Sequence, residues 1–457
     1  MKFEKYLNIV DQKSDVICGA SDAIWDLAEL SYGEYKSSAL LADILEKEGF
    51  TIEWNLADIP TAFKATFGHG KPAMGVLAEY DGLSGMSQEG HCTERKPIEG
   101  KDTSHGCGHN LFGAGSMGAV LAIKSYIEET GKGSITLFGC PAEEGGAGKC
   151  YMARAGVFNG IDAIVSWHPE RMYMVRTRGA LANYGILFSF EGIASNCFHQ
   201  GRSALDAVEL MNVGGNYLRE HVDPDCRFHY ATVDTGGTSP NMVQSHAAVK
   251  YTLRAPTKKE LDALMARMCD VARGAALMTG TKVSWKIQAA YSELITIPTL
   301  QATANEAMHD IPVPIPTEED VAYGVAIQKT YPHYDRLKDN PPYATEVRDP
   351  APRVYHSGST DTADVSWNVP TVQMHIATWV VGTPGHSWQS VSQARSPHTK
   401  RTMLYAAKAV AGTVMRLMEN PDLIAKAKEE HAEKTAGGYV CPLPDDAQPA
   451  ILPRPEG

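Results

Sequence analysis

The feature that most constrains the fold of this chain is an alternation of short apolar runs with a helical stretch. Residues 73–80 (AMGVLAEY), 134–140 (SITLFGC) and 163–167 (AIVSW) each have the length and apolar character of a buried strand. Between the first two, residues 111–129 are rich in Ala, Gly and Met and have the pattern of a helix. Strands and a helix in this order predict an α/β fold with a mostly parallel sheet flanked by helices.

A different pattern begins near residue 184. Three strand-like segments alternate with two helical segments, and the Gly-rich loops of the first part are missing. The strand-like segments are 184–190, 247–253 and 283–290, and the helical segments are 203–219 and 258–278. We therefore expect a smaller α+β unit inserted into the first one.

The length of the chain agrees with two units. A single hydrophobic core usually divides beyond about 250–300 residues, and this chain has 457. We expect one unit made of residues 1–183 and 298–457, which ends in a Pro-rich tail. The inserted unit is expected to span residues 184–297.

Composition and charge exclude several classes of protein. The chain has 54 acidic side chains against 42 Lys and Arg, a formal net charge of −12, and its basic residues form no stripe for nucleic acid. No stretch approaches the ~20 apolar residues of a membrane span, and the N-terminus is polar too early for a secretory signal. The nine cysteines are an odd number and widely spread, so a disulfide framework is not expected. These features predict a cytoplasmic protein that binds neither nucleic acid nor a membrane.

Side chains that suit a metal ion occur in four places. The first is the segment His105-Gly-Cys107-Gly-His109, in which two glycines argue against a helix and allow the chain to bend around an ion. Thiolate and imidazole both suit a borderline divalent metal. Taken alone, this segment is weak evidence for a metal site.

The second place is the pair Glu143-Glu144, which closely follows the apolar run that ends at Cys140. In an extended segment adjacent side chains point to opposite sides, so one carboxylate could bind a metal while the other moves a proton. Because exposed carboxylates are the rule, the pair alone favours a solvated turn. Its position after a predicted strand favours a site.

The third and fourth places are single histidines. His168 directly follows the predicted strand 163–167, and His386 lies in a loop after the apolar run 371–381. A single His is more often structural than a ligand. In an open α/β sheet, however, the site lies at the carboxyl ends of the strands, and three of the four groups follow predicted strands. The four groups together therefore indicate one site.

Several longer stretches carry a family resemblance that covers nearly the whole chain. They are 75–83 (GVLAEYDGL), 105–110 (HGCGHN), 140–146 (CPAEEGG), 167–170 (WHPE), 201–208 (GRSALDAV), 239–243 (SPNMV), 359–367 (STDTADVSW) and 382–393. In these stretches the chain resembles the aminoacylase/carboxypeptidase-G family of metallopeptidases, in its amidohydrolase branch. The resemblance implies a metal-dependent hydrolase of C–N bonds, whose catalytic domain is interrupted by a lid or dimerisation domain.

The resemblance also implies a role for each residue of the site. The implied metal ligands are Cys107, His109, Glu144, His168 and His386. Glu143 corresponds to the general base, and Asp81 to the acidic residue that orients the metal site. From the inserted unit, Asn241 and Arg254 correspond to residues that bind a substrate carboxylate. The guanidinium fork of Arg matches a carboxylate bidentately.

Cofactor, substrate and assembly are likewise implied by the resemblance. The cofactor is one or two divalent ions, with Mn²⁺ preferred and Zn²⁺ as the alternative. The substrate is a small molecule with a carboxylate, and the reaction is hydrolysis of the amide of an aryl- or acyl-amino acid such as p-aminobenzoyl-glutamate. The assembly is a homodimer or a higher homo-oligomer, with a paralogous subunit as an alternative.

The sequence departs from the family at one position that bears on catalysis. In the family a His of the inserted unit reaches across a dimer to the scissile carbonyl, and here Asn196 stands at that position. Asn donates a hydrogen bond but cannot be a cation, and His199 is an alternative donor nearby. Two further functions stay open: hydrolytic deamination of a carboxylate-bearing aromatic amine such as a nitroanthranilate, and a non-catalytic subunit of a heteromeric hydrolase. The intact ligand set argues against the non-catalytic subunit.

Overall fold

The structure is a computed structural model that describes residues 2–177, 179–350 and 358–454. The outer limits of the predicted units, at residues 1 and 457, lie outside these ranges. The α-helices are α1 (Glu4–Gln12), α2 (Ser14–Leu27), α3 (Tyr35–Lys47), α4 (His109–Thr130), α5 (Gly148–Arg154), α6 (Ala204–Leu218), α7 (Lys258–Thr279), α8 (Pro298–His309), α9 (Glu318–Gln328), α10 (Thr362–Asn368), α11 (Trp388–Gln393), α12 (Pro397–Glu419) and α13 (Pro421–Lys434). As far as the described residues extend, none of these helices is long and apolar enough to cross a membrane.

The strands form a large sheet and a small sheet. They are β1 (Thr51–Trp54), β2 (Phe63–Gly68), β3 (Ala73–Glu79), β4 (Ser134–Cys140), β5 (Ala163–Glu170), β6 (Met174–Val175), β7 (Ala182–Glu191), β8 (Arg227–Asp234), β9 (His246–Ala255), β10 (Lys282–Tyr291) and β11 (Thr371–Ala377). The large sheet has the order β1-β2-β4-β3-β5-β11-β6. Its four central strands β4, β3, β5 and β11 run parallel, whereas β1, β2 and β6 are antiparallel to their neighbours. The predicted α/β fold with a mostly parallel sheet is therefore confirmed.

Helix α4 packs so closely on the large sheet that small residues are required. All residues from His109 to Ile123 are buried, and the helix contacts α12 and strand β3. A Cβ on Gly113 would lie 2.7 Å from the carbonyl oxygen of Glu79, inside the usual contact distance. Glycine therefore allows α4 to lie directly against the strand that leads into the candidate site.

The small sheet is antiparallel and has the order β10-β7-β9-β8. Helices α6 and α7 pack against β7 and β9, so this part has the α+β architecture expected for the inserted unit. The sequence pattern does not reveal β8, because Phe228 is the one fully buried side chain of that strand and no apolar run results. The unit limits at residues 184 and 297 stay a prediction.

The Pro-rich tail packs against the large-sheet unit although it forms neither a helix nor a strand in its described part. Leu443 is buried, and the guanidinium of Arg154 donates a hydrogen bond of 2.9 Å to the carbonyl of Ala447. Further along, the Tyr35 hydroxyl donates to the Leu452 carbonyl at 2.8 Å. The described part of the tail is thus held by contacts with the surface of the unit.

Candidate metal centre

The predicted site residues converge at the carboxyl ends of the parallel strands. Asp81 follows β3, the pair Glu143–Glu144 follows β4, and His386 lies in the loop after β11. His168 lies within β5, which continues to Glu170 rather than ending at residue 167 as expected. Because parallel strands end at the same edge of the sheet, side chains that are far apart in sequence meet there.

The segment around Cys107 is a loop only as far as Gly108. His109 is the first residue of α4, so the expectation that this whole segment avoids a helix is wrong for its last residue. Gly108 has a φ of 83°, and a Cβ there would lie 2.8 Å from the side chain of Trp379. Only glycine tolerates both the positive φ and the close approach of Trp379. Helix α4 can therefore begin at His109, and this buried helix holds the His109 side chain in place.

Glu143 and Glu144 lie in a turn and not in the extended segment that we expected. Ala142, directly before them, has a φ of 59°, and its N–H donates to Oε1 of the buried Glu34 at 2.9 Å. The N–H of Glu144 donates to Oδ2 of Asp81 at 2.9 Å. Hydrogen bonds of the turn, rather than the alternation of an extended chain, therefore set the positions of the two carboxylates.

The five predicted ligands, called here the ligand cluster, lie close together. The donor atoms of Cys107, His109 and His168 are all within 4.8 Å of one another. The same holds for Cys107, Glu144 and His386. Sγ of Cys107 is 3.5 Å from Nε2 of His168, and Nε2 of His386 is 3.5 Å from Oε1 of Glu144. The structure thus brings together four segments that the chain separates by up to 279 positions.

Asp81 and a backbone carbonyl orient the histidines of the cluster. Nδ1 of His109 donates to Oδ1 of Asp81 at 2.9 Å, and Nδ1 of His168 lies 2.8 Å from the carbonyl oxygen of Pro169. Burial raises the pKa of Asp81, but the hydrogen bond and charge of His109 outweigh burial and lower it below its usual value. With Nδ1 engaged in this way, Nε2 of each ring is left for the cluster.

The electrostatics of the cluster favour a cation. Burial lowers the pKa of His109, but Cys107, Glu79 and the bond to Asp81 outweigh burial and raise that pKa well above its usual value. Burial and then the nearby Glu143 raise the pKa of Glu144 to about 8. Crowded anionic groups are stabilised by positive charge, and a donor set of thiolate, imidazole and carboxylate suits a borderline divalent ion. The residues therefore fit a divalent metal.

Sequence patterns did not reveal a buried charged triad beside the cluster. Nζ of Lys149 lies 2.7 Å from Oε1 of Glu79 and 2.5 Å from Oδ1 of Asp361, and these side chains are at most 1% exposed. Burial alone lowers the pKa of Lys149, but Asp361 and Glu79 outweigh burial and raise it well above its usual value. Oε2 of Glu79 is 3.1 Å from Nε2 of His109, and Glu79, His109 and Glu143 form a third set of donor atoms within 4.8 Å. One sequence feature could have indicated this triad, because the carboxylate of Glu79 lies inside the apolar run 73–80.

The predicted substrate-binding residues do not all face the cluster. Arg254, on β9, lines a cavity of about 490 Å³ together with Glu143. Asn196 and Asn241 are exposed on the inserted unit and are not among the residues that line this cavity. His199 is exposed as well. Within one chain, Arg254 is thus the member of this predicted set that the structure brings to the cluster.

A second cavity of about 180 Å³ also borders the cluster. Its walls include Glu143 and four of the five ligand-cluster residues. They also include Glu170, which ends the motif 167–170, and Arg176, Gln373 and His375, which the sequence patterns did not indicate. These two cavities differ in size and lining, and both are lined by Glu143 as well as by residues of the cluster.

Comparison with known proteins identifies the class. Residues 76–420 match the model of peptidase family M20/M25/M40, which is well over half of the chain. The chain belongs to this peptidase family and is a metal-dependent amidohydrolase. The family resemblance expected from the sequence motifs is thereby confirmed.

Relatives at different levels of similarity agree with this assignment. The chain is 38% identical to a subunit of the p-aminobenzoyl-glutamate hydrolase of Escherichia coli (strain K12), over 94% of this chain and 95% of that protein. Its fold is similar to that of an aminobenzoyl-glutamate utilization protein from Klebsiella pneumoniae, with a TM-score of 0.60 and 16% identity over 90% of this chain and 98% of the other. It is also similar in fold to a dinuclear metal-binding peptidase of family M20 from Bacillus subtilis, with a TM-score of 0.56 and 20% identity over 86% and 98% of the two chains.

Proposed function

We propose that this chain hydrolyses the amide bond of an aryl- or acyl-amino acid that has a free carboxylate, such as p-aminobenzoyl-glutamate. The observation that carries the proposal is that Arg254 lines the same cavity as Glu143 and two residues of the ligand cluster, Glu144 and His386. A cation that binds carboxylates thus shares one cavity with groups that suit hydrolysis. The name of the Escherichia coli relative supports this choice of substrate class.

The ligand cluster is the proposed binding site for one or two divalent ions, with Mn²⁺ preferred over Zn²⁺. A bound divalent cation supplies Lewis acidity, which polarises the scissile carbonyl and lowers the pKa of water towards ~7. Two overlapping donor sets that share Cys107 are consistent with either number of ions. Asp81 is proposed to hold His109 and the backbone of Glu144 in place.

Glu143 is the proposed general base. Its Oε2 lies 3.9 Å from Nε2 of His109, and it lines both cavities, so it can reach a substrate from either side of the cluster. Glu143 would take a proton from the attacking water and pass it to the leaving nitrogen, acting first as general base and then as general acid. Glu144 contributes its carboxylate to the ligand cluster instead.

The exposed residues of the inserted unit are proposed to serve a second chain. Asn196 and Asn241 do not line the cavities of their own chain that border the cluster, so we place them at the site of a partner in a homodimer or a higher homo-oligomer. A paralogous subunit is the alternative, since the Escherichia coli relative is named as one subunit of a hydrolase. We keep the cytoplasm as the proposed location.

Hydrolytic deamination is the second candidate, and the observation that favours it is Asn196. A neutral amide stabilises a developing oxyanion less than a protonated His does, and displacement of ammonia from an aromatic carbon needs no such stabilisation. A nitroanthranilate would still offer a carboxylate to Arg254. The same Glu143 and ligand cluster would serve this reaction.

The test is a product assay on purified protein loaded with Mn²⁺ or with Zn²⁺. The substrates are p-aminobenzoyl-glutamate, a panel of N-acyl amino acids and 5-nitroanthranilate, and both free amino acid and ammonia are followed. We expect glutamate or another amino acid to be released, and no release by the Glu143→Gln variant. Ammonia from 5-nitroanthranilate alone would replace the first proposal with the second. No turnover of any substrate by metal-loaded protein would contradict both.

A further inference from the structure

Arg176 is a buried cation that the proposed reaction does not use. It follows the short strand β6 and is only 8% exposed. Burial lowers the pKa of its guanidinium to about 10, so the group is still charged at neutral pH. A buried charge is costly unless it is paired or hydrogen-bonded, so the surroundings of this side chain need an explanation.

The protein satisfies only part of this guanidinium. Nη1 of Arg176 donates to Oε1 of Gln373 at 2.6 Å. Nε has no hydrogen-bond partner among the described residues. The carboxylates that favour its charge are Glu170 and Glu143. Glu170 already accepts two hydrogen bonds from Arg171, at 3.0 Å from the backbone N–H and 3.3 Å from Nε. Arg has five N–H donors, so donor capacity is left over.

The position of Arg176 shows where its remaining N–H donors can form hydrogen bonds. Arg176, Gln373 and His375 line the cavity of about 180 Å³ that borders the ligand cluster. The bond from Arg176 occupies Oε1 of Gln373, so the amide NH₂ of Gln373 is a further donor in this wall. The wall formed by Arg176 and Gln373 therefore offers several hydrogen-bond donors to the cavity.

Among the described residues, the two cavities share four lining residues, which are Glu143, Glu144, Ser359 and His386. A substrate whose scissile bond lies at Glu143 therefore has one half in each cavity. Because Arg254 lines the larger cavity, the amino-acid half with its carboxylate belongs there. The acyl or aryl half then enters the smaller cavity, which contains Arg176.

We infer that Arg176 is a specificity-determining residue that binds a hydrogen-bond-accepting oxygen at the far end of the acyl or aryl half of the substrate. The inference rests on the proposed function, because it assumes which half of the substrate enters which cavity. An oxygen acceptor, such as that of a carboxylate or a nitro group, completes the guanidinium where the described residues do not. The 4-amino group of p-aminobenzoyl-glutamate offers no such oxygen, so within the proposed substrate class the inference favours an acyl half that ends in an oxygen acceptor over the p-aminobenzoyl group. An alkyl group at this position removes water from the guanidinium of Arg176 without offering a hydrogen-bond acceptor in its place. Binding of a substrate with such a group is therefore disfavoured.

The test measures binding rather than turnover, so that it is independent of the reaction. Isothermal titration calorimetry compares terephthalate with 4-methylbenzoate, two acids of similar shape that differ in the second acceptor. The proteins are the wild type, Arg176→Lys, Arg176→Met and, as the matched control from the other cavity, Arg254→Met. Circular dichroism and thermal unfolding verify that each variant is folded.

We expect the wild type to bind terephthalate at least about tenfold more tightly, as a charge-assisted hydrogen bond implies. The preference should disappear in Arg176→Met, weaken in Arg176→Lys and persist in Arg254→Met. Equal affinities in the wild type, or a preference that is lost only in Arg254→Met, would overturn the inference. If Arg176→Met does not fold, an unchanged preference in Arg176→Lys overturns it and a weakened one supports it.

Failure of the proposed function gives a different result. If amides are not hydrolysed, the product assay is negative while the terephthalate preference is still measurable. If the subsite is wrong, amides are hydrolysed and the preference is missing. If the enzyme is active, the preference for an oxygen acceptor over a methyl group is also measured with the substrates N-(4-carboxybenzoyl)-glutamate and N-(4-methylbenzoyl)-glutamate. The subsite is expected to change KM more than kcat.

Discussion

The large sheet and the small sheet of this molecule differ in how many of the predicted site residues each brings together within one chain. At the large sheet, the ligand cluster, Glu143 and the buried triad around Lys149 lie together and contact one another. On the inserted unit, Arg254 reaches that site, whereas Asn196 and Asn241 stay exposed. The large sheet thus brings the residues of the proposed reaction centre together within one chain, and the exposed residues of the inserted unit are proposed to act on a second chain.

The exposed apolar side chains show the same contrast. Among the described residues, seventeen large hydrophobic side chains are exposed, and eleven of them lie between Ile193 and Trp285, in about a fifth of the chain. Phe198 and Met242, which are 63% and 51% exposed, lie two positions after Asn196 and directly after Asn241. Exposed apolar surface that is concentrated in this way marks an interaction surface in a globular domain. This supports the proposal that a second chain covers the inserted unit.

The largest expected effect is at the reaction centre. Glu143→Gln removes the proton acceptor but keeps the shape of the side chain, so kcat should fall by about 10²–10⁴-fold. Because Glu143 is not a member of the ligand cluster, metal content by elemental analysis and the thermal unfolding curve should be close to those of the wild type. A variant that has also lost its metal would mean that Glu143 is a ligand, as its place in the third donor set allows.

The second effect concerns the contribution of the triad to stability. Lys149→Met leaves Glu79 and Asp361 buried without a cation, and breaking a buried ion pair in this way costs about 3–5 kcal/mol of the free energy of unfolding. Urea unfolding measures the loss. The matched control is Lys5→Met, whose partner Glu129 is exposed, and its free energy of unfolding should stay close to that of the wild type. Similar losses in the two variants would contradict a structural role for the triad.

The third prediction tests whether the inserted unit acts on a second chain. Asn196→Ala and Glu143→Gln chains with different tags are co-expressed, and the mixed dimer is isolated through both tags. If Asn196 serves the partner, one of the two sites of the mixed dimer is intact, and its activity should be about half that of the wild type. If Asn196 serves its own chain, the mixed dimer should not exceed the activity of the Asn196→Ala homodimer.

The smallest expected effect is the loss of stability when a buried aspartate is replaced, compared with the replacement of an exposed one. Burial raises the pKa of Asp162, but the ammonium of Lys428, the N–H of Ala73 and the ammonium of Lys71 outweigh burial and lower it. A lowered pKa stabilises the folded state above the unfolded pKa of ~3.8, and this stabilisation is lost as the pH falls through the folded value. Asp162→Asn should therefore cost about 1–2 kcal/mol at pH 7 and less below pH ~4.

The inserted unit supplies the control for that substitution. Asp262 of α7 forms an (i, i+4) pair with Lys258, and its side chain is 51% exposed. Asp262→Asn should change the free energy of unfolding by less than about 0.5 kcal/mol at either pH. Urea unfolding at pH 7 and pH 3.5 measures both variants, and equal pH dependence in the two would contradict the role of burial at Asp162.

The amino-acid sequence by itself determined the elements and the chemistry of the main site. Apolar runs with the length of strands predict β3, β4 and β5, because periodicity and burial are local properties of a segment. The ligand residues were predicted because three of the four groups follow such strands and because long motifs resemble one family, and their role as ligands stays a prediction. Strand β8 was missed for the same reason, since its side chains are mostly exposed and leave no apolar signal.

Only the tertiary structure decided which polar groups meet. Lys149 and Asp361 are 212 positions apart, and nothing local indicates that Lys149 pairs with both Asp361 and Glu79. Arg176 and Gln373 are 197 positions apart, and their hydrogen bond depends on the neighbouring strands that carry them. Contacts of this kind follow from the order of strands in the sheet and the packing of helices upon it. The physical reason is that a local pattern sets the conformation of a segment, whereas the folded core sets its neighbours.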